Sequence, residues 1–195
     1  MDLTSSSETA SLGDEQRETL LQVARDAVAY GVEHRRAMNV KAEDYVAELR
    51  PVRATFVTLR KEEGDLRGCI GTCQPLRPLV EDVAHNAHAA AFMDPRFPPL
   101  SRLELDGLQI HISLLTVPEE MRFTSEEDFL AQVRPGVDGL LLEEGGRKGT
   151  LLPSVWEALP EAELFVRQLK LKAGLPADYW SENVRVSRYA AESIE

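Results

Sequence analysis

Two runs rich in β-branched and apolar residues, Arg53-Ala54-Thr55-Phe56-Val57-Thr58-Leu59 and Leu66-Arg67-Gly68-Cys69-Ile70-Gly71-Thr72, flank the turn-forming segment Glu62-Glu63-Gly64-Asp65. That arrangement commits this part of the chain to an antiparallel hairpin. Side chains alternate along a strand, so Leu66, Gly68, Ile70 and Thr72 are expected on one face and Arg67, Cys69, Gly71 and Cys73 on the other. Leu66 and Ile70 suit a core. Arg67 and Cys69 then share the opposite face, about 7 Å apart along the strand, where a fixed positive charge favours thiolate.

The remaining patterns are strands and helices in no regular βαβα order. Residues 107–115 alternate, with Leu108, Ile110, Ile112 and Leu114 toward a core and Gln109, His111 and Ser113 opposite. Residues 137–142 pair with 149–152 across Gly145-Gly146 as a second hairpin, and residues 184–193 read as a closing strand. Helices are expected at 14–38, at 78–92 behind Pro78, at 125–133 capped by Ser125, and at 160–173 up to Gly174. The segment 39–51 reads as a connector. An α+β fold follows, with a mostly antiparallel sheet flanked by helices. Residues 1–13, polar and without periodicity, read as a disordered tail ahead of a single domain at 14–195.

The chain has 195 residues, a formal charge of -11 and two cysteines. That charge argues against gripping a phosphate backbone, so no nucleic-acid partner is expected. With no apolar stretch of signal or spanning length, a soluble, cytoplasmic protein with reduced thiols and no membrane partner is expected. Cys69 and Cys73 lie roughly 13 Å apart on a continuous strand, beyond the ~7 Å limit for a disulfide. Without further cysteines they build neither a zinc knuckle nor an iron–sulfur cluster.

The motif at 66–72 closely resembles the signature of the AMMECR-type domain. Similar segments follow in the family's order: the run from Ala89 through Asp94-Pro95-Arg96-Phe97-Pro98-Pro99-Leu100, Gly136-Val137-Asp138-Gly139-Leu140, Leu151-Leu152-Pro153 and Lys172-Ala173-Gly174-Leu175-Pro176. The resemblance covers roughly residues 14–193. It implies a single α+β domain with a smaller subdomain, in a bacterial or archaeal context. Prokaryotic members are called AmmeMemoRadiSam system protein A, which implies two partners: a Memo-like protein of dioxygenase-like fold and a radical S-adenosylmethionine enzyme.

Two readings of Cys69 stand. In one it is a nucleophile or modification site, activated by Arg67 and reached through space left by Gly68 and Gly71. In the other it packs as a small hydrophobe, and the glycines allow close backbone approach. Asp94 and Arg96 either bind polar groups of a small molecule or pin their proline-rich loop. His111, with Ser113 on the same polar face, is the base that Cys69 lacks if their strands are neighbours. Glu81, His85 and His88 share a helical stripe, read as solvated; neither metal nor cofactor is expected. Lys170 and Lys172 are read as complementing a helix dipole. No complete acid, base and nucleophile set is visible, so the sequence favours an adaptor for the two partners, with an enzyme using Cys69, Arg67 and Arg96 as the alternative.

Overall fold

The computed structural model describes residues 12–195; of the expected tail, residues 1–11 lie outside the described part. Helix α1 spans Asp14–His34, with Gly13 at its N-cap. It buries Leu20, Val23, Ala24, Ala27 and Val28 on one face. It stops short of the expected Met38 because Arg35 adopts the left-handed conformation (φ 55°) and returns its N–H to the Gly31 carbonyl. Two short 3₁₀ turns, Ala42–Asp44 and Ala47–Leu49, lie within the connector.

Strands β1 (Thr55–Arg60) and β2 (Leu66–Gly71) form the first hairpin, and helix α2 (Leu79–Phe92) follows with Pro78 as N-cap. Strand β3 (Gln109–Leu115) pairs with the other side of β1. A two-residue strand β4 (Glu119–Glu120) and helix α3 (Glu126–Gln132) come next, the latter capped by Ser125 Oγ accepting from the Asp128 N–H at 3.1 Å. Strands β5 (Gly139–Glu144) and β6 (Arg147–Leu151) join through Gly145-Gly146, both at positive φ, as a two-residue hairpin requires. After a 3₁₀ turn at Pro153–Glu157, helix α4 runs over Ala162–Lys172 and ends at Gly174 (φ 75°).

The expected closing strand is two strands, β7 (Arg185–Tyr189) and β8 (Ala191–Ile194), which belong to different sheets. The sheet orders are β2-β1-β3-β8 and β4-β7-β5-β6, and every pairing is antiparallel. Helices α1 and α2 cover one face of the first sheet over a core that includes Leu20, Leu79, Val57, Leu59 and Ile112. The second sheet packs Leu140, Leu142 and Val186 against Phe129 and Phe165. A small third cluster joins the sheets: Ala54, Cys73, Leu115 and Tyr189, with Phe56, Leu141 and Leu152 against them.

Helix α2 carries two buried polar side chains that hydrophobic periodicity does not announce. Asp82 Oδ2 accepts from the Thr55 N–H at 3.0 Å and the Thr55 hydroxyl at 2.7 Å, and Asn86 Nδ2 donates to Asp82 at 2.9 Å and to the Thr55 carbonyl at 3.1 Å. These bonds satisfy backbone groups at the start of β1 and lock α2 across it. Burial pushes the Asp82 carboxyl above its usual range, against the lowering effect of the Thr55 bonds and Arg77.

Candidate functional site

The central feature of the site is an irregularity in β2. Leu66 pairs with Arg60 and Gly68 pairs with Leu59, which leaves Arg67 as the extra residue of a β-bulge. The bulge breaks the expected alternation, and two expectations change with it. Leu66 joins Cys69 on the side of Arg60 and Thr58, away from the helices, instead of joining Ile70 at the core. Arg67 does not share an open face with Cys69. Its side chain is 3% exposed; Nε donates to Glu104 Oε1 at 2.6 Å and Nη2 to the Pro98 carbonyl at 2.9 Å. Its guanidinium also lies 5.8 Å from the Phe97 ring centroid. Arg67 therefore anchors the loop after α2, and the expectation that it activates the thiol is corrected. Glu104 pays back the contact electrostatically: held mainly by Arg67, its carboxyl is pulled from 4.5 to about 2.

Gly68 and Gly71 do not open space toward the thiol. A Cβ on Gly68 would lie 2.1 Å from the Ala90 carbonyl oxygen of α2, and one on Gly71 would lie 2.3 Å from the Thr55 carbonyl oxygen. Both glycines permit close packing of backbone and neighbours, the alternative role that the sequence left standing for them.

Strand β2 is the edge of its sheet, and the proline-rich loop covers that edge at Cys69. Asp94 Oδ2 accepts from the Cys69 N–H at 2.9 Å, and Arg96 Nη2 reaches the Cys69 carbonyl at 3.4 Å. Asp94 in turn takes Arg96 Nε at 3.0 Å and Nη2 at 2.7 Å, so its carboxyl is held far below the usual range, chiefly by Arg96. Because the N–H and C=O of Cys69 both point outward to this loop, Cys69 and Thr58 form a non-hydrogen-bonded cross-strand pair, the type with the closest side chains. Thr58 Oγ1 accordingly donates to Cys69 Sγ at 3.2 Å. Asp94 is a loop pin, while the Arg96 side chain remains 54% exposed.

Cys69 Sγ lies in a cleft of about 910 Å³ between the two sheets. Its floor comes from β1 and β2, including Thr58, Cys69 and Gly71, and Arg96 flanks it. The opposite wall comes from the second sheet and the end of α4: Leu141, Lys148, Thr150, Leu152 and Lys172. Four cations, Arg60, Arg96, Lys148 and Lys172, line it against a single carboxylate, Asp94. In a chain of charge -11 this is a local inversion of sign. Lys148 is paired with Glu143. Lys172 stays exposed overall, but partial desolvation lowers its amine from the usual lysine value; Cys69 opposes this, Arg96 adds to it and Cys73 opposes it. Cys73 itself is buried against Thr150, and desolvation pushes its thiol up.

His111 is not the direct neighbour of Cys69. Strand β1 separates them, with Thr58 opposite both. Two strand spacings place His111 roughly 10 Å away. It lines an adjoining hollow of about 770 Å³ with Ser113, and its Nε2 lies 3.1 Å from Glu195 Oε2. The two hollows share Thr58, Arg60, Leu152 and Ser154 along their common margin. Of the helical stripe, Glu81 accepts from the Ala42 N–H at 2.9 Å and His88 packs on Phe92. Among the described residues, no three His, Cys, Asp or Glu side chains converge as a metal site.

Sequence reasoning missed Thr58, because the bulge decides its partner, and placed both lysines in the last turn of α4 without separating their surroundings. Lys170, 1% exposed, is buried against Glu126 and 5.5 Å from the Trp180 ring, whereas Lys172 enters the cleft. These features define a class: an α+β protein of two antiparallel sheets with a thiol and a cluster of cations in the cleft between them. The chain belongs to the AMMECR1 family, which it matches over residues 21–194. It is 39% identical to a protein of Methanothermobacter thermautotrophicus over 94% of this chain and 95% of that one. It is 44% identical to a protein of Thermotoga maritima over 70% and 74% of the respective chains. The crystal structure of uncharacterized protein PH0010 from Pyrococcus horikoshii superposes with a TM-score of 0.86 at 35% identity, covering 93% of this chain and 92% of that one. No helix among the described residues is long and apolar enough to cross a membrane.

Proposed function

We propose that this chain is an enzyme acting on small anionic molecules in the cleft between its sheets, with Cys69 as the nucleophile or modified group. The observation that carries this reading is the placement of the Cys69 thiol in one cleft with Arg96 and Lys172, with Thr58 donating to its sulfur. Arg96 spends Nε and Nη2 on Asp94 and turns the rest of its guanidinium to solvent. A carboxylate or phosphate entering the cleft meets these charges before it meets the thiol.

The test is a comparison of two alkylating reagents of similar size. Cys69 should react with iodoacetate faster, relative to iodoacetamide, than a free thiol does. Removing one nearby charge, in Lys172→Met or Arg96→Met, should lower that preference by about fivefold, since one ion pair near water is worth ~1 kcal/mol. An iodoacetate preference equal to that of a free thiol overturns the reading.

A second reading is that of an adaptor for a Memo-like protein and a radical S-adenosylmethionine enzyme. It is supported by Met93 and Leu103, 65% and 92% exposed, which flank the proline-rich loop at 94–100. Apolar side chains so exposed beside a conformationally fixed loop suit docking. The chain should then co-purify with one of the two at mild salt, and Leu103→Ser should weaken capture. Absence of capture by both counts against it.

A further inference from the structure

We propose that Lys172 is a second nucleophile in the cleft, capturing the carbonyl carbon of a small oxo acid as an imine while Arg96 holds the acid's carboxylate. The proposal rests on the reading of this cleft as an anion site, and adds to it a substrate class and a second reacting group.

The first support is the state of Lys172 among the five lysines of the chain. Lys41, Lys148 and Lys170 each face a carboxylate, from Glu43, Glu143 and Glu126 respectively. Among the described residues, Lys172 and Lys61 have no carboxylate within ion-pairing distance. Both side chains are exposed, but Lys61 stands at the tip of the first hairpin, whereas Lys172 lines the cleft.

The second support is how firmly its position is set. Lys172 is the last residue of α4, and that helix end sits directly on β6: a Cβ on Gly149 would lie 2.6 Å from the Ala173 backbone nitrogen. The turn beyond is closed by Gly174 N–H to the Leu171 carbonyl and Leu175 N–H to the Lys170 carbonyl, both at 2.9 Å. Lys172 thus joins the cleft lining from a fixed point of the backbone.

The third support is the electrostatic surroundings. Partial desolvation lowers the Lys172 amine although the residue stays exposed overall, Cys69 opposes this, Arg96 adds to it and Cys73 opposes it. A lysine set beside another cation is a weakened ammonium and a strengthened nucleophile. Arg96 brings the complementary feature, a planar fork suited to carboxylate.

The step is balanced without a redox partner. The free Nζ adds to the carbonyl carbon, the carbonyl π pair moves to oxygen, and that oxygen leaves as water. One carbonyl and one lysine ammonium give one protonated imine and one water.

The experiment treats the intact chain with pyruvate and sodium cyanoborohydride and maps reduced adducts by peptide mass spectrometry. Lys172 should be labelled at least about fivefold faster than Lys61, because Arg96 holds the carboxylate of the oxo acid beside it and one ion pair near water is worth ~1 kcal/mol. Arg96→Met should slow labelling by pyruvate more than labelling by methyl pyruvate, which lacks the charge. Lys172→Arg should abolish labelling at that position and keep the iodoacetate preference of Cys69, because the charge remains. Labelling of Lys172 no faster than that of Lys61 overturns the imine, and an unchanged pyruvate to methyl pyruvate ratio in Arg96→Met overturns the role of Arg96. If the iodoacetate preference survives either result, the anion reading stands and the imine alone has failed.

Discussion

At the scale of single residues, the motif at 66–72 separates into parts with different tasks. Arg67 holds the segment after α2, through Glu104 and the Pro98 carbonyl, while Cys69 faces the cleft. The Arg67–Glu104 pair has a signature in acid. Glu104 is held at about 2 in the folded chain, against 4.5 ordinarily. A depressed carboxyl contributes stability that is fully present above its unfolded value and is lost as pH falls through the folded value. The pair therefore weakens between about pH 4.5 and 2, as the unfolded chain takes up a proton that the folded chain refuses. Glu104→Gln should be less stable than the parent at pH 6, and the gap should close by pH 2 in urea titrations across that range. A gap independent of pH would show that Glu104 acts by shape and neutral hydrogen bonding alone. Thr58 is the other residue with a defined task. Thr58→Val removes the hydroxyl that donates to Cys69 Sγ at 3.2 Å and leaves packing volume nearly unchanged. A typical hydrogen bond is worth ~1 kcal/mol net, so alkylation by iodoacetamide at neutral pH should slow by about fivefold. Unchanged alkylation would remove Thr58 from the site.

At the scale of elements, the first hairpin shows what sequence pattern reveals and what it hides. Both strands and the turn follow from the sequence pattern, and the structure places them as expected. The bulge does not follow. Continuing the Arg60–Leu66 pairing without it places Thr58 opposite Gly68; with it, Thr58 stands opposite Cys69. One inserted residue decides which side chain meets the thiol and sends Arg67 to Glu104, and nothing in local propensity announces it. Next to the bulge, Gly68 faces α2, and the Ala90 carbonyl there occupies the space a side chain would need. Gly68→Ala should therefore destabilise by roughly 1–3 kcal/mol, the usual range for overpacking, seen as a lower urea midpoint at unchanged slope. A neutral result would mean that α2 is free to move off β2. The lysines at the end of α4 teach a similar lesson. Helix-end chemistry explains both Lys170 and Lys172 from sequence, yet one is buried on Glu126 and the other enters the cleft, a difference set by tertiary packing on opposite sides of one turn.

For the whole molecule, the cleft exists because two sheets meet along only part of their facing surfaces. Where they meet, Thr150 Oγ1 of the second sheet receives the Cys73 thiol at 3.3 Å, and Tyr189 Oη of the same second sheet lies 2.7 Å from that Thr150 oxygen and donates to the Leu151 carbonyl at 3.0 Å. Where they part, Cys69 and Arg96 stand on the first side and Lys172 on the second. The distance between Lys172 and the other two is thus a property of the junction, and no linear reading of the chain contains it. The last two strands make the same point, since β7 and β8 are almost continuous in sequence but pair with different sheets. Tyr189 is the side chain through which the junction is best tested. Its hydroxyl is pushed well above the usual phenol range, chiefly by burial, so it is a neutral donor at all working pH. Tyr189→Phe keeps the ring and removes the bonds to Leu151 and Thr150, which should cost about 1–2 kcal/mol in urea unfolding. If those bonds also fix the spacing of the sheets, the variant should lower the iodoacetate preference of Cys69 as Lys172→Met does, although Tyr189 contributes no charge. A loss of stability with the preference intact would confine the Tyr189 hydroxyl to stability and leave the apolar contacts of Ala54, Leu115 and Leu152 to set the cleft.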